Sequence, residues 1–185
     1  MINGWAGSGK DTMADFLVRT KGYVKESIAD SLKRMISTKY KLDPWYFNTQ
    51  EGKKSIPSGH NISAREILIR EALKCKMEDQ DFFIKKTHAE LKLYDSLGYT
   101  TVVIPDFRYK SEYNYLSKFY KDIKTVCIRR HDTIPINDPS EKDLENFIFD
   151  KEIFNTGSLD DFYSSIEDYD SELNETLETF LTANN

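Results

Sequence analysis

Nine residues near the start of the chain, GWAGSGKDT from Gly4 to Thr12, constrain its fold more than any other stretch. Glycines at 4, 7 and 9 let the backbone come close to a ligand, and Lys10 follows them directly. Amides converging in such a loop, backed by the positive end of a helix, form a cradle for an anion. Met13, Phe16 and Leu17 are spaced for one face of that helix, and Gly22 marks its end.

The spacing Gly4-x-x-x-x-Gly9-Lys10 fits the P-loop pattern, in which the amides hold phosphate oxygens and the lysine bridges the outer phosphates. In the commonest version a Ser or Thr follows the lysine and binds Mg²⁺. Here the order is Lys10-Asp11-Thr12, the order of the G-K-x-T loops in kinases of small phosphorylated metabolites.

The rest of the chain alternates helices and strands. Tyr23 to Ala29 reads as a short strand, Ser31 to Tyr40 as a helix, and residues 41 to 62, with Pro44, Gly52, Pro57 and Gly59, as a mobile or irregular insertion. Ser63 and Glu66 form a capping-box pattern that opens a helix to about Lys76, and a second helix runs from about Asp81 to Leu97. Thr100 to Ile104 is a β-branched run that reads as a central parallel strand. Ser111 to Asp122 reads as a helix, Lys124 to Arg129 as a strand and Ser140 to Asp143 as the start of a short helix. Glu152 to Phe154 reads as a last strand, followed by a helix capped at Ser158 that continues, bent or broken, past Asp170. This alternation predicts a single α/β domain over residues 1–185, a three-layer fold with a mainly parallel central sheet and helices on both faces.

Composition narrows the classes. The chain has 185 residues, 39% hydrophobic and 31% charged, and no apolar run near the ~20 residues of a membrane span. That predicts a cytoplasmic protein with no membrane partner. A net charge of −5 argues against a nucleic-acid surface. Cys75 and Cys127 belong to no metal or redox spacing and read as reduced packing residues, and His60, His88 and His131 have no ligand spacing. The acidic stretch Glu167 to Glu178 reads as a solvated helix face.

Several segments together resemble the deoxynucleoside monophosphate kinases of tailed bacteriophages. SGKDTMADF is similar to their loop and first helix, IADSLK (Ile28 to Lys33) to their F-A-D-x-L-K, and IPDFRYKSE (Ile104 to Glu112) to their D-x-R-x-x-x-E. PSEKDL (Pro139 to Leu144) and FDKEIFNTGSLDDF (Phe149 to Phe162) follow in the family's order. After the capping box the family reads R-x-L-L-Q-x-L-G-T, and this chain lacks the glutamine and the Gly-Thr pair. In a fold of this kind about five residues precede the first loop glycine. Only Met1, Ile2 and Asn3 do so here, which leaves either a very short first strand or a chain represented from a later start.

The resemblance implies a kinase that uses ATP and Mg²⁺ to turn a deoxynucleoside monophosphate into its diphosphate, in the infected bacterial cell, with small-molecule nucleotides as partners and a homodimer as a plausible state. Gly4, Gly7, Ser8, Gly9, Lys10, Asp11 and Thr12 would hold the donor phosphates, Thr12 and Asp106 the Mg²⁺ shell, Asp106 through water. Asp11 is equally well explained as a carboxylate favoured by the helix dipole. Asp106 and Arg108 follow a buried strand, where ligands of an open parallel sheet collect, and with Lys10 they form the expected catalytic set. Lys33, Arg65, Arg70 and Arg108 would take the acceptor, and residues of about 41–80 would form an irregular acceptor-side segment. Arg130, Asn155 and Gly157 would meet the donor adenine, with Arg129 on the opposite face. Trp45, Tyr46 and Phe47 suit either base stacking or a hydrophobic anchor. A kinase for another small metabolite, such as dephospho-coenzyme A, and a nucleotide-binding protein without catalysis are the alternatives.

Overall fold

The computed structural model describes residues 1–133 and 143–183. Five short strands carry the architecture: β1 (Ile2–Asn3), β2 (Val24–Lys25), β3 (Val102–Val103), β4 (Val126–Arg129) and β5 (Lys151–Phe154). The ladders β1–β4, β4–β5 and β2–β3 are all parallel. Two backbone hydrogen bonds join the two sheets, from the Ile2 amide to the Ile104 carbonyl (2.7 Å) and from the Phe107 amide to the Ile2 carbonyl (3.2 Å). The spatial order is therefore β2-β3-β1-β4-β5. The chain runs from β1 to β2 on one side and later crosses from β3 past β1 to β4 on the other, so β1 borders the switch point where ligands of open α/β sheets bind.

Helix α1 (Lys10–Lys21) leaves the glycine loop with Gly9 at its N-cap and ends on Gly22, whose positive φ closes the last turn. The helix α2 spans Asp30–Tyr40. The segment expected to be irregular instead holds two short helices, α3 (Trp45–Asn48) and α4 (Gln50–Lys54). Gly52 is the reason they pack so tightly: a Cβ there would lie 2.3 Å from the Trp45 carbonyl oxygen. Phe47, fully buried, fastens the pair to the helical core. Within the aromatic triplet Phe47 is a hydrophobic anchor, whereas Tyr46 is half-buried and Trp45 exposed.

Helix α5 (Ala64–Glu78) starts at the expected capping box, with Ser63 and Glu66 satisfying each other's amides. The next helix, α6 (Phe82–Ser96), also falls where the sequence places it. The α7 helix (Lys110–Leu116) stops short of the expected Asp122. Helix α8 runs unbroken from Leu159 to Ala183, where the sequence suggested a bend or break. The expected helix start at Ser140 falls outside the described residues, and residues 143–146 form turns.

Two cores result. Residues of α1 and α8, including Met13, Leu17, Phe162 and Ile166, pack on Val103, Val126, Ile128 and Ile153. Residues of α2, α5 and α6 pack on the other neighbours of the sheet, Ile104 and Leu116 among them. Val103 and Ile104 feed different cores because successive strand residues point to opposite faces. The acidic C-terminal stretch is not wholly solvated: Asp170 is buried, accepts a hydrogen bond from the Tyr23 hydroxyl at 2.6 Å and pairs with Lys21 at 3.4 Å. Both cysteines are free thiols, and no described helix is long and apolar enough to cross a membrane.

Candidate active site

The glycine loop turns at the carboxyl end of β1. Gly4 (φ 146°) has no room for a side chain, since a Cβ would meet the Ile128 carbonyl oxygen at 2.6 Å. Gly9 (φ 112°) is equally confined, with the Asn155 amide nitrogen at 2.8 Å and the Phe162 ring at 3.0 Å from a Cβ. No side chain caps the first turn of α1, so its amides face the loop cavity. Lys10 folds back over the loop: its ammonium donates to the carbonyl oxygens of Gly4 and Trp5, the latter at 2.8 Å. Ser8 is buried, and its hydroxyl has no hydrogen-bond partner. A glycine loop with one lysine over it, leading into a helix whose first turn no side chain caps, is chemistry that suits phosphate oxygens.

Asp11 points outward and shares Lys25 with Asp15, at 3.1 and 2.9 Å. Thr12 is half-buried in the first turn of α1. Asp106 has partners that the sequence did not suggest. Its two oxygens accept from the Ser27 hydroxyl (2.7 Å), the Ile28 amide (2.9 Å) and the Ala29 amide (2.9 Å). An ionised carboxylate has about four acceptor positions, so the bonds that tie β3 to the start of α2 occupy most of them. Among the described residues no group of three or more acidic, His or Cys side chains could hold a metal. The Thr12 hydroxyl and the Asp106 carboxylate are the groups that would help to hold a cation here.

Beside the first turn of α1 several cations influence a residue absent from the sequence-based candidates. Lys53, in α4, has its ammonium pKa lowered from the ordinary lysine value, first by burial and then by Lys33 and Arg65, with Arg108 adding and Asp11 opposing. Cations from α2, α4, α5 and the β3–α7 loop therefore share one electrostatic neighbourhood beside the first turn of α1. Lys33 is held by Asp30 at 2.7 Å, and Arg65 reaches the Gln50 side chain at 3.4 Å. Arg70 does not join them: it is exposed and faces Glu66, whose carboxyl it helps to lower after the Ser63 hydrogen bonds. The i, i+5 step from Arg65 turns it off the cleft face of α5.

Glu112 supports Arg108 from beneath. Its buried carboxylate accepts the amides of Arg108 (2.9 Å) and Tyr109 (3.0 Å). Burial nevertheless pushes its pKa up to about 7, against the lowering effect of those two amides and with a further push from Asp106. The only cue in the sequence was its place in the D-x-R-x-x-x-E segment.

A pocket of about 290 Å³ opens at the other end of the loop, lined by Gly4, Trp5, Arg130 and Phe154 among others. Arg130 lines it, beside Arg129, which is fixed by Glu152 at 2.7 Å. Asn155 turns away from it and donates to the Ser8 carbonyl at 2.9 Å, a brace from the end of β5 to the glycine loop. Gly157 makes room for the capping box of α8, because a Cβ would lie 2.6 Å from the Asp161 carboxylate that accepts from Ser158.

No family model matches the chain. A sugar kinase structure from Janibacter sp. aligns with it at 11% identity and a TM-score of 0.45, covering 88% of each chain. In sequence, the chain is similar over 89% of its own length, and 92% of the relative's, to a protein of Acanthamoeba polyphaga mimivirus named "Putative deoxynucleotide monophosphate kinase", at 28% identity.

Proposed function

We propose that the protein is a phosphotransferase that moves the γ-phosphoryl group of ATP to a deoxynucleoside 5′-monophosphate, giving ADP and the diphosphate. The observation that carries this reading is the pairing of the glycine loop with the cations around Lys53. One site suits a chain of phosphates, and the other, across the first turn of α1, suits a second phosphate. The name of the mimivirus relative supports the same reading.

The reaction breaks the bond from the γ-phosphorus to the oxygen it shares with the β-phosphate and forms one to an acceptor phosphate oxygen. Positioning and charge stabilisation dominate such transfers. Lys10 would exchange the Gly4 and Trp5 carbonyls for the donor's outer oxygens, and the loop amides would hold the inner ones. The pocket by Trp5, Arg130 and Phe154 would receive the donor base. Lys33, Lys53, Arg65 and Arg108 would bind the acceptor phosphate, with guanidinium groups able to grip two oxygens at once. Thr12 would help to hold Mg²⁺, which would supply further charge neutralisation.

A coupled assay of ADP release over the common deoxynucleoside monophosphates tests the proposal. Turnover with at least one of them, lost in Lys10→Ala, is expected. Absence of turnover with all of them, in protein that binds ATP, would sink it.

A further inference from the structure

Arg65 stands at the start of α5, and Ile69, Ala72 and Lys76 follow it at steps of four, three and four. Such steps keep the four residues along one edge of the helix. Between the two cations that edge is apolar and open: Ile69 is 50% exposed, and Ala72 and its neighbour Leu68 are half-buried. The carboxylates of Glu66 and Glu71 are engaged elsewhere, the first by Ser63 and the second by Lys39 and Lys74.

Two contacts lay the β3–α7 loop along this edge. Arg108 acts on Lys53 together with Arg65, at one end. Its neighbour Tyr109 has an extended backbone (φ −127°, ψ 137°), which sends successive side chains to opposite sides. The Tyr109 ring accordingly lies at the other end, where the Lys76 ammonium stands 3.5 Å from its centre. Lys76 thus covers one face of a half-buried aromatic ring. Arg65 and Lys76 are 11 positions apart, about 16 Å along the helix axis. That length, less the reach of the two side chains, holds a phosphate, a pentose and a base in line.

We propose, on the reading that the cations around Lys53 take the acceptor phosphate, that Tyr109 is the platform on which the acceptor's base stacks. The pentose would then lie against Ile69 and Ala72. In the free protein the Lys76 ammonium holds the place of the base. A base stacked on an aromatic ring outweighs a solvent-reached ammonium on the same ring, so the base displaces it. An acceptor is gripped at both ends, and a phosphate ester without a base at one end only.

The test measures binding by calorimetry, without ATP, of the four common deoxynucleoside monophosphates and of 2-deoxyribose 5-phosphate, which lacks the base. The parent chain is expected to hold its best nucleotide roughly 10- to 100-fold tighter than the sugar phosphate. Tyr109→Leu should abolish that preference and leave the Kd of the sugar phosphate unchanged, which also shows that the variant is folded. Tyr109→Phe should restore the preference, and Lys76→Met, which uncovers the ring, should keep or widen it. Equal binding of nucleotide and sugar phosphate by a parent chain that phosphorylates the nucleotide would overturn this inference alone. So would a preference that survives Tyr109→Leu, or one lost in Lys76→Met, which would give the base to the ammonium. A parent chain that neither binds nor phosphorylates any of the four nucleotides would overturn it together with the proposed function.

Discussion

Lys53 sits half-buried near Lys33, Arg65 and Arg108, with Asp11 offsetting part of their repulsion, an arrangement that an arriving anion would relieve. Lys53→Met keeps most of the aliphatic stem and removes the charge. Its expected effect is a KM for the acceptor raised by roughly 10- to 100-fold, as for one lost charge-assisted bond, with the KM for ATP unchanged. Thermal stability should hold or rise, since the repulsion is gone. Steady-state kinetics with each substrate varied, alongside a melting curve, separates these outcomes. An unchanged acceptor KM would remove Lys53 from the site. The sequence could not point to Lys53, because its only local cue is a Lys-Lys pair after a glycine, and its environment comes from α2, α5 and the β3–α7 loop folding around it. The glycine loop is the opposite case: Gly4, Gly9 and Lys10 stand within a few positions of each other, so their pattern is legible in a line of text, although Ile128, Asn155 and Phe162, which crowd the two glycines, are not.

At the level of elements, the same distinction separates what the sequence revealed from what it did not. Helices α1 and α5 were legible at their ends because glycine closure and the Ser63–Glu66 box are local. The strands were overestimated: β3 keeps only Val102–Val103 of the expected Thr100 to Ile104, since a strand is as long as its neighbours allow. The aromatic triplet in α3 was ambiguous because burial of Phe47 depends on α5 being there to cover it. Helix α7 yields a prediction of its own. Glu112 caps its first turn with a carboxyl that titrates near 7 instead of its ordinary 4.5, so the folded state holds that proton more tightly than the unfolded chain. Its contribution to stability is therefore full below about pH 4.5 and is lost as pH rises through about 7. In Glu112→Gln the acceptor oxygen remains and the charge never forms. Measured from pH 5 to pH 8, the Tm of the variant should stay level where the parent falls by several degrees. Parallel curves would show that Glu112 does not titrate in this range.

The whole molecule carries a net charge of −5, yet it gathers Lys33, Lys53, Arg65 and Arg108 on one side of α1. A local positive field inside an acidic molecule attracts a small dianion and repels longer polyanions from the rest of the surface. Salt shortens that field, from ~14 Å at 50 mM to ~4 Å at 500 mM. The acceptor KM should therefore rise several-fold over that range, and Lys53→Met should flatten the rise; a KM indifferent to salt would show that charge does not guide the acceptor. The brace between Asn155 and Ser8 has a last consequence, which concerns the order of folding. Ser8 and Asn155 stand 147 positions apart, and Phe162, which crowds Gly9, comes later still. Local structure in the glycine loop therefore forms without its support, and the loop is locked only when the distant end of β5 and the start of α8 have docked against it.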